Sequence, residues 1–257
     1  MRDVIEAALD ALPACVDVFI RDDDAGWNDA DLLALLDVTE RCGVPIDLAA
    51  IPGAMSSGLA RFLLARIVAA PGLVGVHQHG STHLNHETEG RKCEFGASRD
   101  LLAQHDDLAR GLAQLRDHFG ELLLPIFTPP WNRCSEATPT LLADLGFAAL
   151  SRDRGAKPAQ CALQEIAVDV DWSKQWRSGG RAAVAEAFSL ALRARAADGQ
   201  ALGLMLHHAV MHQDERSLLM ELLGALAHHP HLRWRSMREL LVPMKNTNES
   251  TACTTSA

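Results

Sequence analysis

Short runs of apolar, often β-branched residues alternate along the chain with longer stretches whose apolar positions recur at helical spacing. The short runs predict strands at 16–21, 46–51, 73–77, 124–127, 148–151, 165–170 and 202–206, with an eighth at 232–235. Periods near 3.6 predict helices around 30–41, 58–69, 99–119, 137–145, 181–197 and 214–228. Strands alternating with helices in this way are joined in parallel by crossover helices. Seven or eight such units, with strands apolar on both faces, predict an α/β barrel ahead of a doubly wound sheet. No Gly-rich dinucleotide fingerprint follows the first strand. Residues 246–257 are polar, rich in Thr and Ser and aperiodic, so a disordered tail is expected behind one domain of residues 1–245.

Polar residues collect where the predicted strands end. Arg21-Asp22-Asp23-Asp24 closes the first strand, and three adjacent carboxylates are costly to hold together without a cation or a proton. A solvated acidic turn is the plain alternative. The segment His77-Gln78-His79-Gly80-Ser81-Thr82-His83-Leu84-Asn85-His86 follows the third strand with four of the twelve histidines. Imidazoles four residues apart in a turn reach one ion, so His79 and His83 carry the metal-ligand spacing, against a surface His tract. Phe127-Thr128-Pro129-Pro130-Trp131-Asn132-Arg133 is a rigid exit from the fourth strand, able to aim a backbone N–H or simply to pack. Asp169-Val170-Asp171-Trp172 and Leu204-Met205-Leu206-His207-His208 end two later strands. In a parallel barrel these ends converge on one pocket.

Composition narrows the partners. A formal charge of −9 argues against a protein that grips nucleic acid through clustered cations. The six cysteines are scattered without a CxxC pair, which suits a reducing compartment. Residues 1–13 carry Asp3, Glu6 and Asp10 where an export signal needs a basic start and an apolar run. No apolar stretch reaches the roughly 18 to 20 residues that span a bilayer. A cytoplasmic protein is expected, with no membrane or nucleic-acid partner, and the sequence carries no signal for an oligomeric state.

Taken in order, Asp-Asp, His-x-x-x-His, Pro-Pro-aromatic, Asp with Trp, and Leu-x-x-His resemble the five motifs of the polysaccharide deacetylases (carbohydrate esterase family 4, NodB homology) over residues 16–210. The resemblance implies a distorted (β/α)7 barrel and one divalent metal ion, zinc first among the candidates. It implies Asp24, His79 and His83 as metal ligands, Asp23 as the base and His207 as the acid. It also implies an oxyanion contact from the backbone near Trp131, with Asp171 or Asp169 orienting a catalytic partner. Asp22/Asp23 is an alternative register for the first motif, and His208 an alternative to His207. The implied reaction removes an acetyl group from an N-acetylated sugar or related small amide by metal-activated water, breaking a C–N bond that is not a peptide bond. In the family an Arg opens the third motif and pairs with the base. Phe127-Thr128 stands there instead, leaving Arg21, Arg133 and Arg152 as possible replacements.

Trp27, Trp131, Trp172 and Trp176 are available to stack on a sugar, but Tyr is absent, which favours a small substrate over a long polymer. Two other functions fit parts of the pattern. His77-Gln78-His79 is the His-x-His signature of metal-dependent amidohydrolases, although those place the pair on the first strand. A catalytically inactive sugar-binding barrel is compatible with the altered third motif.

Overall fold

A computed structural model describes residues 2–241, so the tail expected at 246–257 lies outside the described residues. Nine strands pair in parallel: β1 (Val16–Ala25), β2 (Ile46–Ala50), β3 (Val74–His79), β4 (Leu123–Thr128), β5 (Ala149–Leu150), β6 (Gln164–Glu165), β7 (Val170–Asp171), β8 (Leu202–Leu206) and β9 (Leu232–Trp234). Their order is β6-β5-β4-β3-β2-β1-β8-β7, with β9 beside the start of β1. In a flat sheet β1 and β5 would stand roughly 19 Å apart. Arg21 of β1 nevertheless donates to Ser151, just beyond β5, at 2.8 Å, so the sheet is strongly curled.

The run predicted as one strand at 165–170 is two short strands that change neighbour. Gln164 and Ile166 donate their backbone N–H groups to Ala148 and Leu150, and Val168 donates to Arg152. Asp169 then donates to Gly203, and β7 pairs with β8. This segment therefore bridges the two edges of the sheet and acts as the seventh stave of a distorted (β/α)7 barrel.

Alternation along the strands sorts the side chains. Val18, Ile20, Leu202, Leu204 and Leu206 face outward into a core shared with the helices. Phe19, Leu124, Ile126, Ala149 and Met205 fill the barrel interior. The outer layer holds α1 (Arg2–Asp10), α2 (Asp29–Cys42), α3 (Ser57–Ala69), α4 (Leu101–Phe119), α5 (Thr138–Asp144), α6 (Trp172–Asp198), α7 (Gln213–Leu226) and the short α8 (Met237–Leu240). Helix α6 begins nine residues before its expected start at 181, capped by Asp171, and absorbs the extra length in a kink at Gly179 and Gly180. Helix α1, absent from the helices that periodicity predicts, buries Ile5 and Leu9 and packs on α6.

Candidate metal centre

The first strand continues through the acidic triplet instead of ending before it. Its register against β2 shifts between Asp22 and Ala25, and Asp24 takes a φ of 72°. Such a bulge re-aims one side chain. As a result, the three aspartates point three ways.

Asp22 follows the outward parity of Val18 and Ile20. Its Oδ1 accepts the His208 backbone N–H at 2.9 Å and its Oδ2 lies 2.6 Å from His208 Nδ1. His208 Nε2 lies 2.7 Å from the Trp27 carbonyl, which can only accept. Both ring nitrogens therefore donate. Burial disfavours that charge, but the Asp22 carboxylate overrides it and lifts the His208 pKa to about 9. The imidazolium has no lone pair to offer, and the pair fastens the end of β8 to β1.

Asp23 shares the inward parity of Phe19 and Arg21. Arg21 Nε and Nη2 donate to its two oxygens at 2.7 and 2.9 Å, a forked pair with both side chains buried. Arg21 also donates to Ser151 and, at 2.6 Å, to Asn132 Oδ1. Arg152 is committed to Glu165, and Arg133 reaches the Lys92 carbonyl. Arg21 is thus the arginine that pairs with Asp23. Burial would raise the Asp23 pKa, yet the charges of Arg21, His79 and His207 hold it below the ordinary carboxylate value. His207 continues the inward parity of Met205 and faces Asp23, while its Nδ1 is buried without a hydrogen-bond partner.

Asp24, His79 and His83 converge. Asp24 Oδ1 lies 3.3 Å from His79 Nε2 and 3.2 Å from His83 Nε2, and potential ligand atoms of all three residues lie within 4.8 Å of one another. His79 Nδ1 lies 3.0 Å from the Thr128 carbonyl and must donate to it, which turns Nε2 toward Asp24. Asp24 Oδ1 is buried without a conventional partner. Burial alone would raise the Asp24 pKa, but its contacts with His79 and His83 drive it well below the usual range. One carboxylate and two imidazoles facing a common point, with one acceptor orphaned, fit a divalent cation of the zinc type. His77 stands one layer lower, 2.8 Å from Thr128 Oγ1, and burial with the nearby Arg21 and His79 charges depresses its pKa to about 3. It is not part of the cluster, so the His-x-His pair is not used as a pair.

The loop between the two ligand histidines is held by Glu94, which the sequence analysis did not single out. Its fully buried carboxylate accepts the backbone N–H groups of Ser81 and Thr82 and the Thr82 hydroxyl at 2.8 to 3.2 Å. Gly80, at φ 60°, makes room for it, since a Cβ there would lie 2.1 Å from Glu94 Oε2. His83, Trp131 and Asn132, like Asp24, have positive φ, so four of the five non-glycine residues in that region among the described residues surround this centre. The His83 ring lies between Trp27 and Trp131 at centroid distances of 4.7 and 4.5 Å. Asn132 and Arg133 spend their N–H groups on the carbonyls of Pro129 and Pro130. Asp171 caps α6 by accepting the Lys174 N–H, and Asp169 is tied to Arg154 and Gly203. Among the described residues neither forms a hydrogen bond to His207.

The fold has counterparts of known structure. The chain has the fold of the polysaccharide deacetylases. A protein from Mycobacterium smegmatis described as a polysaccharide deacetylase aligns with a TM-score of 0.63 at 17% identity, covering 90% of this chain and 91% of that one. A family 4 carbohydrate esterase from Streptomyces lividans, solved with acetate, aligns at 0.55 and 18% identity over 86% and 92% of the two chains. A pseudoenzyme of that esterase family from Bacillus anthracis aligns at 0.52 and 15% identity, over 82% of this chain and 59% of the other. No protein-family model matches the sequence, and a search of curated proteins finds no relative.

Proposed function

We propose that the protein is a metal-dependent hydrolase that removes the acetyl group from an N-acetylated sugar or a related small amide. The observation that carries this is the convergence of Asp24, His79 and His83 beside an arginine-paired Asp23 at the C-terminal end of a deacetylase-type barrel. Asp24, His79 and His83 would hold the ion, with zinc the first candidate. A divalent ion bound there supplies Lewis-acid polarisation of the acetyl carbonyl and acidifies water.

The remaining work falls to the chain's own groups. Asp23, kept ionised by Arg21, takes the proton from the attacking water. The backbone N–H of Trp131 is assigned to the developing oxyanion. His207 delivers a proton to the departing amine nitrogen. Asp171 acts on catalysis indirectly, by fixing the start of α6. The five cysteines in the described part are all unpaired, which supports a cytoplasmic setting, and no helix there is long and apolar enough to cross a membrane.

Neighbouring aspartates give the test. Asp24→Ala is expected to lose the metal, whereas Asp23→Asn is expected to retain it and to lose about 10²- to 10⁴-fold in acetate release. Metal content by elemental analysis and acetate release from a panel of N-acetylated sugars and small amides measure both. Full activity in Asp23→Asn would overturn the assignment. A second reading, an inactive sugar-binding barrel, is favoured by the unpartnered Nδ1 of His207. Stoichiometric metal without acetate release from any member of the panel would favour it.

A further inference from the structure

The two imidazoles of the metal centre are held by different means. His79 is turned by a hydrogen bond from its Nδ1 to the Thr128 carbonyl at 3.0 Å. The His83 ring meets Asp24 through Nε2 at 3.2 Å and otherwise touches the rings of Trp27, His79 and Trp131. Its Nδ1 has no hydrogen-bond partner among the described residues. A ligating imidazole ordinarily fixes its orientation by donating its second ring nitrogen to an oxygen. His83 also carries a φ of 59°, which a non-glycine residue keeps only where its surroundings impose it. Packing must therefore do what a hydrogen bond does for His79.

Trp27 is built to supply that packing, because it belongs to the turn that carries Asp24. Its N–H donates to the Asp24 carbonyl at 3.0 Å, and its own carbonyl lies 2.7 Å from His208 Nε2. Between Asp24 and Trp27, Gly26 takes a φ of 117° and lies so close to Ala54 that a Cβ there would come within 3.0 Å of it. The indole thus leaves a rigid turn. It meets the His83 ring at 67°, the edge-to-face arrangement that aromatic pairs favour, while 39% of the residue stays exposed. One turn supplies both a ligand from β1 and a wall against a ligand from the loop after β3. Trp131, on which a backbone role already falls, contacts the same ring at 60°.

We propose that Trp27 is a positioning residue for the metal, its indole holding the His83 imidazole toward Asp24 in place of the hydrogen bond that orients His79. The proposal rests on the metal-dependent function above. Zinc affinity of the full chain, measured by chelator competition, is expected to fall about tenfold in Trp27→Ala. Trp27→Leu, which keeps apolar bulk without a ring, should lose about threefold, and Trp27→Phe less than twofold. Visible absorption of the cobalt(II)-loaded proteins reports the geometry of the ligands. Its band shape should change in Trp27→Ala and match the wild type in Trp27→Phe.

Should Trp27→Ala fail to fold, the contrast between Trp27→Leu and Trp27→Phe carries the test. Wild-type zinc affinity in the variants without a ring, or a loss that Trp27→Phe does not restore, overturns the role. So does a raised KM with unchanged zinc affinity, the signature of a side chain that stacks on substrate. If the affinity series holds while no acetate is released, the catalytic function falls and the role of Trp27 stands. If Trp27→Ala binds zinc and releases acetate as the wild type does, the role falls and the function stands. Absence of zinc binding by the wild type overturns both.

Discussion

Two aspartates are buried inside the same barrel on neighbouring strands, Asp23 near the C-terminal end of β1 and Asp47 near the N-terminal end of β2. Asp23 receives a forked guanidinium from Arg21 and is held ionised. Asp47 receives one backbone N–H, from Met237 at 2.7 Å, and its Oδ1 has no partner. Burial outweighs that bond and raises its pKa to about 7. The two carboxylates share a barrel and nearly the same burial, so the presence of a cation decides the charge of each. The upper end invests a guanidinium to keep a base available; the lower end closes the barrel with a carboxyl that is largely neutral at mildly acid pH.

The largest effect is expected from removing that cation. Arg21→Met leaves Asp23 buried and unpaired, which should cost about 3 to 5 kcal/mol of stability, read by urea unfolding at pH 7. It should also raise the Asp23 pKa, so that the acid limb of the activity profile moves upward. Arg21→Lys keeps a charge but not the fork, and should fall between the two. The double variant Arg21→Met/Asp23→Asn should recover much of the lost stability, because the uncompensated charge is then gone. If Arg21→Met is as stable as the parent, the contrast between the barrel's two ends fails.

Much of this was legible in the sequence, and what was not has identifiable causes. The seven principal strands and six helices follow from periodicity, and polar strand ends brought Asp24, His79, His83 and His207 to one end of the barrel. Parity also separates Asp23 from Asp22 and His207 from His208, but only once the strand is known to run through the acidic triplet. The bulge at Asp24 leaves no pattern, because its positive φ is borne by an aspartate where a glycine would have signalled it. The exchange of neighbours between β6 and β7 is a tertiary event within a single apolar run. Arg21 was visible as one of three candidates, and geometry chose among them. Glu94 sits in the aperiodic stretch between β3 and α4, where the one available hint was the glycine directly after His79.

Glu94 sharpens the comparison from the loop that carries two of the metal ligands. Glu94→Ala removes the acceptor for two backbone N–H groups and a hydroxyl between His79 and His83. Zinc affinity, measured by chelator competition, should fall about 10- to 100-fold, as for other supports of ligand loops. Leu63→Ala on α3, a cavity-forming control in the core, should lose stability without that loss of affinity. Equal affinity losses in the two variants would reduce Glu94 to a general packing role.

The smallest effect is expected at the lower end. The Asp47 pKa rises from 3.8 to about 7 on folding, so between these values the folded chain binds more protons than the unfolded one. Stability from this group is therefore greatest below pH 4 and declines as pH rises toward 7. The shift sets a ceiling of about 4 kcal/mol. Asp47→Asn keeps an acceptor for Met237 and cannot ionise, but its amide N–H groups take the place of an oxygen that already lacks a partner. A net gain of about 1 to 2 kcal/mol at pH 8 is expected, with little change at pH 4. His208, raised to about 9, adds its own decline as pH climbs from 6.5 through 9, equally in both proteins, so the difference between their urea midpoints isolates Asp47. Were Asp47→Asn less stable than the parent at pH 8, the lower carboxyl would have to be charged and paired, and the two ends of the barrel would no longer differ in kind.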